Sequence, residues 1–212
     1  MSTKREAEAD REAPIDWAQE LATREALATP RDTVRGMFFN GTLEAVRVLG
    51  DEAAVARCQE VLGGQQFITF FNYPIGLLLK LTATAAEALS PRYGGFEQAL
   101  QALGRKATAD FMQSTMGNMM RLMARSSIRH MMSSMQTVYG MVASHGVREM
   151  TWQGGNRGRL VLRRIFMPLP YHKGALLEML EQGGAQNVRV EGQQVGPLDC
   201  EFFFSWEGSE RP

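Results

Sequence analysis

The sequence VREMTWQGGNRGRLVLRRIF, residues 147–166, decides the fold class, because helical periodicity ends before it and strand-like alternation begins in it. Two apolar-rich runs, residues 147–152 and 159–166, flank a glycine-rich turn. Along the second run, Leu160, Leu162 and Phe166 alternate with Val161, Arg163 and Ile165, which is the period of a strand with two faces. Two such runs around a glycine-rich turn predict an antiparallel hairpin.

A helix and two further strands are predicted after this hairpin. Residues 171–182 have the apolar spacing of a helix, and the pair Gly183-Gly184 ends it. Strands are then predicted over residues 188–191 and 199–206. One face of the last strand carries four large or apolar side chains at period two: Cys200, Phe202, Phe204 and Trp206.

The first half of the chain has helical spacing throughout. Four helices are predicted there, over residues 33–49, 51–62, 75–89 and 96 to about 112. Asp32 is predicted to cap the first of them. Gly36 and Gly41 lie inside that helix, where each costs about 1 kcal/mol relative to alanine. We therefore expect both glycines to serve close packing.

These elements together predict an α+β fold. Its N-terminal helical half packs on a C-terminal four-stranded antiparallel sheet with one helix, in the order β-β-α-β-β. Residues 29–207 are predicted to form this single ligand-binding-like domain, and residues 1–28 a mobile arm with one short helix. The helix begins at Pro14 and carries Trp17, which docks either on the body or on a partner.

The segment from 111 to 142 holds nine of the fourteen methionines, at helical spacings. Two helices are predicted in it, with a break near residues 124–127. Methionine is flexible and adapts to irregular surfaces, whereas leucine specifies a core better. The segment therefore indicates either an adaptable pocket or a plastic core, and both interpretations stay open.

Composition and charge argue against several classes of protein. Lysine plus arginine number 23, aspartate plus glutamate also 23, and this balance does not indicate a nucleic-acid binder. No apolar run approaches the roughly 18 residues of a membrane span. The charged N-terminus lacks the apolar core of a signal peptide. Cys58 and Cys200 have apolar neighbours and are predicted to be buried, reduced thiols. We expect a soluble, cytoplasmic protein.

No catalytic or metal-binding constellation is apparent. His130, His145 and His172 do not pair with acidic or thiol ligands at metal-binding spacing. No phosphate-loop, dinucleotide-binding or nucleophile-elbow motif occurs. His172 is predicted to be a surface or capping histidine in preference to a ligand contact. The arginines of the hairpin, Arg148 among them, are predicted to be solvated, with an anionic ligand head or acidic partner as the alternative. We expect no enzyme activity and no cofactor.

Several motifs resemble a myxobacterial-type family of uncharacterised proteins. They are RGMFFNG at 35–41, FITFFNYP at 67–74, PYHKG at 170–174 and a final strand ending at Trp206. The resemblance covers residues 29–207.

The order of elements also resembles a wider group of folds, as do the sequence LGRK at 103–106 and the strand DCEFFFSW at 199–206. The group comprises heme nitric-oxide-binding domains, four-vinyl-reductase-like small-molecule-binding domains and TRAPP vesicle-tethering subunits. This resemblance implies an apolar guest held between helices and sheet, often in a dimer.

The same resemblance argues against heme. In the heme branch, the proximal histidine lies seven residues before a tyrosine that ends its helix. The matching positions here are Met132 and Tyr139. His130 is two residues away, which turns it about 200° around the helix axis. The Tyr-x-Ser-x-Arg motif for the propionates is replaced by VLRRI at 161–165.

Two functions remain. The first is a non-enzymatic sensory or regulatory module that binds an apolar or amphipathic small molecule or lipid between the Met-rich helices and the sheet. Its predicted ligand-binding residues are Phe39, Phe70, Met112, Met116, Met119, Met123, Met132, Met135 and Tyr139. The second is an interaction or scaffold module without a ligand, with the N-terminal arm as its docking segment. A homodimer is expected in either case.

Overall fold

The computed structural model describes residues 15–124 and 127–208 of the chain. The side chains at positions 116, 121, 123 and 124 also lie outside the described part. In chain order, the described elements are α1 (Trp17–Ala26), β1 (Thr33–Arg35), α2 (Gly36–Leu49), α3 (Glu52–Val61), β2 (Asn72–Pro74), α4 (Ile75–Tyr93), α5 (Phe96–Gln113), α6 (Thr115–Ala124), α7 (Ile128–Ser133), α8 (Met135–Gly140), β3 (Val147–Trp152), β4 (Arg157–Arg163), α9 (Leu169–Gln182), β5 (Gln186–Gly196) and β6 (Asp199–Glu207).

The C-terminal half folds into a four-stranded antiparallel sheet in the order β3-β4-β6-β5. β3 and β4 pair as the predicted hairpin, from Val147 opposite Arg163 to Trp152 opposite Gly158. β6 pairs with the other side of β4, which places Phe202 opposite Leu160, and both side chains are buried. The predicted α+β class and the β-β-α-β-β order are confirmed.

Two glycines bring α5 and α9 into backbone contact. A Cβ atom built on Gly104 of α5 would lie 1.9 Å from the carbonyl oxygen of Tyr171 in α9. A Cβ atom on Gly174 of α9 would lie 2.0 Å from the carbonyl oxygen of Gln101 in α5. Both obstacles are backbone atoms, which cannot rotate aside. The absence of both side chains therefore permits the contact that joins the helical half to the sheet half.

Helix α1 lies against the body of the protein. Asp16 caps it by accepting a hydrogen bond from the backbone N–H of Gln19 at 3.1 Å. The Trp17 ring lies 5.2 Å from the ring of Phe96. Arg24 is only 1% exposed. It donates hydrogen bonds to three acceptors on the C-terminal half: the carbonyl oxygens of Ile165 and Met167 and the side-chain oxygen of Gln194. The part of the predicted arm that precedes residue 15 lies outside the described residues.

The prediction for Asp32 is wrong. α2 begins three residues later than predicted, because residues 33–35 form β1 and pair with β2. The Asp32 carboxylate instead accepts hydrogen bonds from the backbone and hydroxyl of Thr29 and from the guanidinium of Arg164, at 2.7 Å for the shortest contact to Arg164. Asp32 therefore links the N-terminal half to the end of β4.

The Met-rich segment forms three helices, α6, α7 and α8, and not the two predicted. Part of the predicted break, residues 125–126, lies outside the described residues. The additional boundary, between α7 and α8, falls at Ser134, whose hydroxyl donates to the carbonyl oxygen of Met131 at 2.7 Å. Serine hydroxyls compete in this way with the hydrogen bonds of a continuing helix. Among the described residues, no helix is long and apolar enough to cross a membrane.

The Gly104 contact generates a prediction about stability. Gly104→Ala should lower the free energy of unfolding by about 3 kcal/mol, because the new methyl group must push two backbones apart. Gly41→Ala is the matched control, since the predicted close packing is absent at Gly41 and a Cβ there meets nothing within 4 Å. That change should raise the free energy of unfolding by about 1 kcal/mol. Urea unfolding measures both, and equal effects at the two glycines would contradict the account.

Candidate ligand-binding cavity

The core consists of two apolar clusters: a helical cluster, formed mainly by α2, α3, α4 and α5, and a sheet cluster, formed mainly by α6 to α9 with β4, β5 and β6. A cavity of about 150 Å³ lies where the two clusters meet. Val34, Ile75 and Leu78 belong to the helical cluster and form one wall. Leu160 and Leu162 belong to the sheet cluster and face them from β4. The cavity therefore lies between the helices and the sheet.

The walls are mostly apolar, with a polar group at one side. The apolar lining consists of Val34, Phe38, Ile75, Leu78, Ala107, Phe111, Met120, Met135, Val138, Val142, Leu160, Leu162, Phe166, Met167, Ala175, Leu176 and Met179. The polar lining consists of Thr108, Tyr139, His145, Arg148, Tyr171 and His172. A concave apolar surface with a few convergent polar groups is the usual composition of a small-molecule site.

Helix α9 supplies one face of the cavity. Its lining residues are Tyr171, His172, Ala175, Leu176 and Met179, whose spacing places them on one side of the helix. The helix starts directly after Pro168, and Pro170 lies in its first turn, where its missing N–H has no cost. Gly104 of α5 contacts the carbonyl of Tyr171, so the glycine contact also fixes the position of this first turn.

Tyr139, His145 and Arg148 form a connected group on the side of α8 and β3. The Tyr139 hydroxyl lies 3.5 Å from Nε2 of His145. The Arg148 guanidinium carbon lies 3.1 Å from the centre of the Tyr139 ring, a cation–π contact. The His145 ring packs edge-on against Phe166, with 5.0 Å between the ring centres. The three side chains hold each other in place at the cavity wall.

Three buried polar atoms of the cavity-lining residues have no hydrogen-bond partner among the described residues. They are Nδ1 of His145, one terminal nitrogen of Arg148 and Nε2 of His172. His145 is 6% and Arg148 9% exposed. Buried polar atoms in folded proteins almost always have a partner, so three exceptions around one cavity require an explanation.

Burial keeps both histidines neutral near pH 7. The pKa of His145 is lowered to about 4. Desolvation is the main cause, Asp32 and the Thr33 backbone act against it by favouring the protonated ring, and the charges of Arg148 and Arg164 add to the lowering. Desolvation also holds the pKa of His172 well below its usual value, with Arg148 and Arg24 adding to the effect. Burial raises the pKa of the Tyr171 hydroxyl, so it stays protonated.

The structure brings some of the predicted ligand-binding residues to the cavity. Met135 and Tyr139 line it. Met112 and Met132 are fully buried nearby, in the sheet cluster of the core, but do not line the cavity. Phe39 is buried in the helical cluster, where its ring stacks on Phe67 with 4.1 Å between centres. Its neighbour in sequence, Phe38, lines the cavity.

The other predicted residues lie elsewhere. Phe70 is 73% exposed in the link before β2, and Met119 is 60% exposed on α6. Neither lies at the cavity. The side chains of Met116 and Met123 fall outside the described part of the chain.

For Arg148 and His172, a ligand contact was only the alternative to a solvated or surface position. The prediction that Arg148 is solvated is wrong, since it is buried. His172 is partly buried and lines the cavity. A signal for Arg148 is present in the sequence. It shares one face of β3 at period two with Met150 and Trp152, both partly buried against the sheet cluster.

The residues present do not fit a heme. A cavity of about 150 Å³ matches a guest of about the size of benzene, and a porphyrin is several times larger. Met132, at the position of the proximal histidine in the heme branch, is packed in the core and does not line the cavity. Within residues 15–124 and 127–208, no three His, Cys, Asp or Glu side chains are grouped to hold a metal ion.

Comparison with known proteins identifies a family and a fold. A family model described as "Protein of unknown function (DUF2378)" matches residues 27–207. A search of curated proteins found no match.

The chain is similar to solved H-NOX structures. The Fe(II) unliganded H-NOX protein from K. algicida is 11% identical, with a TM-score of 0.61 over 82% of this chain and 97% of that one. The S. oneidensis H-NOX protein in its Fe(II)NO state is 10% identical, with a TM-score of 0.64 over 82% and 99%. A single-residue mutant of T. tengcongensis H-NOX is 12% identical, with a TM-score of 0.66 over 82% and 98%. At 10–12% identity, the similarity to these structures shows the fold alone. It confirms the predicted resemblance to the fold of the heme nitric-oxide-binding domains.

The burial of His145 generates a prediction about pH. Its pKa of about 4 in the folded protein lies below the usual 6.5 of the unfolded chain, so only the unfolded state binds a proton between these values. The contribution of His145 to stability is therefore complete above pH 6.5 and is lost as the pH falls towards 4. We expect this contribution to fall by about 2.5 kcal/mol between pH 7 and 4.5.

Urea unfolding at several pH values, compared between the wild type and His145→Gln, measures this loss. The variant should lose less stability on acidification than the wild type. Between pH 7 and 8 the two proteins should show the same pH dependence, which is the internal control. An identical pH dependence from pH 7 to 4.5 would contradict the assignment.

Proposed function

This chain belongs to the DUF2378 family of proteins of unknown function, and we propose that it is a non-enzymatic sensory or regulatory module that binds an apolar or amphipathic small molecule. The binding site would be the cavity between the Met-rich helices and the sheet, within a domain of residues 29–207. The observation that carries the proposal is the mostly apolar cavity with unpartnered polar atoms on one side. The buried, unpaired thiols of Cys58 and Cys200 support a cytoplasmic location.

The fold supports a role in sensing. The S. oneidensis H-NOX protein is described in an Fe(II)NO ligation state, so one protein of this architecture holds a small guest. Fold alone does not decide function, and the cavity residues of this chain do not fit a heme. We infer that this chain keeps the architecture and takes a different guest.

The methionines on the walls favour an adaptable site. Met120, Met135 and Met179 line the cavity from three different helices. Unbranched thioether side chains change rotamer at small cost, so the walls can adjust to guests that differ in shape. Binding would then favour one packing of α6, α7 and α8 over others, which is how a ligand shifts a conformational equilibrium.

The interaction-module alternative has less support. Trp17 of α1 contacts Phe96 of the same chain, and the buried Arg24 holds α1 on the body, so the described part of the arm is already docked. A homodimer remains a proposal, which the exposed side chains of Ile68, Phe70 and Phe71 support. Sedimentation equilibrium measures it directly, and a monomer at micromolar concentration would contradict it.

A cavity-filling variant tests the proposed site. Ala107→Leu adds a larger side chain to a wall of the cavity, on a helix that accepts leucine well. Ala109→Leu on the same helix, which is not part of the lining, is the matched control. The probes are hexanol, benzyl alcohol, hexanoate and benzoate, used with thermal unfolding and native mass spectrometry.

At a hundredfold excess over the dissociation constant, a bound probe stabilises the folded state by about 2.7 kcal/mol. For a domain of this size the melting temperature should then rise by about 5–10 °C. We expect this rise in the wild type and in Ala109→Leu, and its loss in Ala107→Leu. A bare protein mass and an unchanged melting temperature with every probe would count against the proposed function.

A further inference from the structure

Arg148 is a buried cation without an anionic partner. Its side chain is 9% exposed, and the described residues place no carboxylate within ion-pair distance of it. The guanidinium makes a cation–π contact with the ring of Tyr139. One of its terminal nitrogens has no hydrogen-bond acceptor. A buried charge without a partner is costly, so its retention at a cavity wall indicates a partner that the chain itself does not supply.

Two acidic side chains of this part of the protein, Asp32 and Glu149, already have basic partners. Asp32 is buried and bound by Arg164 and Thr29. Glu149, next in sequence, is exposed and lies 3.6 Å from Arg163. Neither carboxylate lines the cavity. The polar side of the cavity therefore carries the positive charge of Arg148 with no internal acid to balance it.

Two further side chains at the same cavity each have one buried ring nitrogen without a hydrogen-bond partner, Nδ1 in His145 and Nε2 in His172. His145 comes from the segment before β3, and His172 from the first turn of α9, so together with Arg148 they approach from three different parts of the chain. A neutral imidazole offers one N–H donor and one acceptor nitrogen. His145 and His172 thus provide neutral hydrogen-bonding groups beside one guanidinium, which is a donor set suited to a single negative charge.

We propose that the ligand of this cavity is a small carboxylic acid, whose carboxylate binds Arg148 beside His145 and His172 while its apolar body lies against the β4 and α9 walls. This inference rests on the proposed function, because it names the chemical class that the same cavity takes. A carboxylate carries one charge and matches one arginine, whereas a phosphate group carries about −1.5 to −2. The cavity volume suits an apolar body of about the size of a benzene ring.

Isothermal titration with matched acids and alcohols tests the inference. The pairs are benzoate with benzyl alcohol and hexanoate with hexanol, which differ at the head and share the body. We expect each acid to bind wild-type protein at least about tenfold more tightly than its alcohol, as charge-assisted hydrogen bonds predict. Arg148→Met should abolish this preference and leave the alcohols bound. Arg163→Gln, an exposed arginine on the neighbouring strand, should retain it.

The stability of Arg148→Met without ligand is a second readout. Because the substitution removes an unpaired buried charge, the variant should melt no lower than the wild type. Equal affinity of acid and alcohol in wild-type protein would overturn the carboxylate inference and leave the proposed function standing. Binding of none of the four probes would overturn both. An acid preference that survives Arg148→Met would overturn the assignment to Arg148.

Discussion

The close packing of α5 on α9, which Gly104 and Gly174 permit, determines how the two halves of the molecule are joined. It brings the backbones of α5 and α9 together, and with them the helical half and the sheet half of the chain. Arg105 reinforces it by pairing with Glu178 and Glu181 across the same two helices. The first turn of α9 is thereby held above the sheet, and a cavity remains between the two parts of the core. The site is a consequence of how the halves are joined.

Much of the fold was predictable because its signals are local. Alternation in β3, β4 and β6 and the glycines between elements predicted the C-terminal half in its correct order. Signals that depend on distant partners were missed. β1 is three residues long and forms because β2 pairs with it. Asp32 accepts a hydrogen bond from Arg164, which lies 132 positions away in the sequence. The boundary between α7 and α8 falls at Ser134, whose hydroxyl bonds to the carbonyl of Met131. The spacing of apolar residues contains no information about this hydrogen bond.

The site was less predictable than the fold. Helical spacing selected Met135 and Tyr139, which line the cavity. It could not tell that Phe39 packs on Phe67 or that Phe70 faces solvent, since both depend on how the link before β2 folds back. Arg148 was assigned to the surface by its charge, although its position in the alternation of β3 points inward. Places where a local rule of burial is broken are often functional, and Arg148 is such a place.

The proposed function requires that a small guest occupies the cavity behind the Met-rich helices. Methionine methyl groups report on it directly, because Met120, Met135 and Met179 line the cavity while Met119 and Met141 are 60% and 55% exposed. NMR spectra of protein labelled with ¹³C at the methionine methyls would be recorded during titration with hexanoate and, separately, hexanol. We expect saturable shifts at the three cavity methyls and none at the two exposed ones. Unchanged cavity resonances, or shifts confined to the exposed methyls, would contradict it.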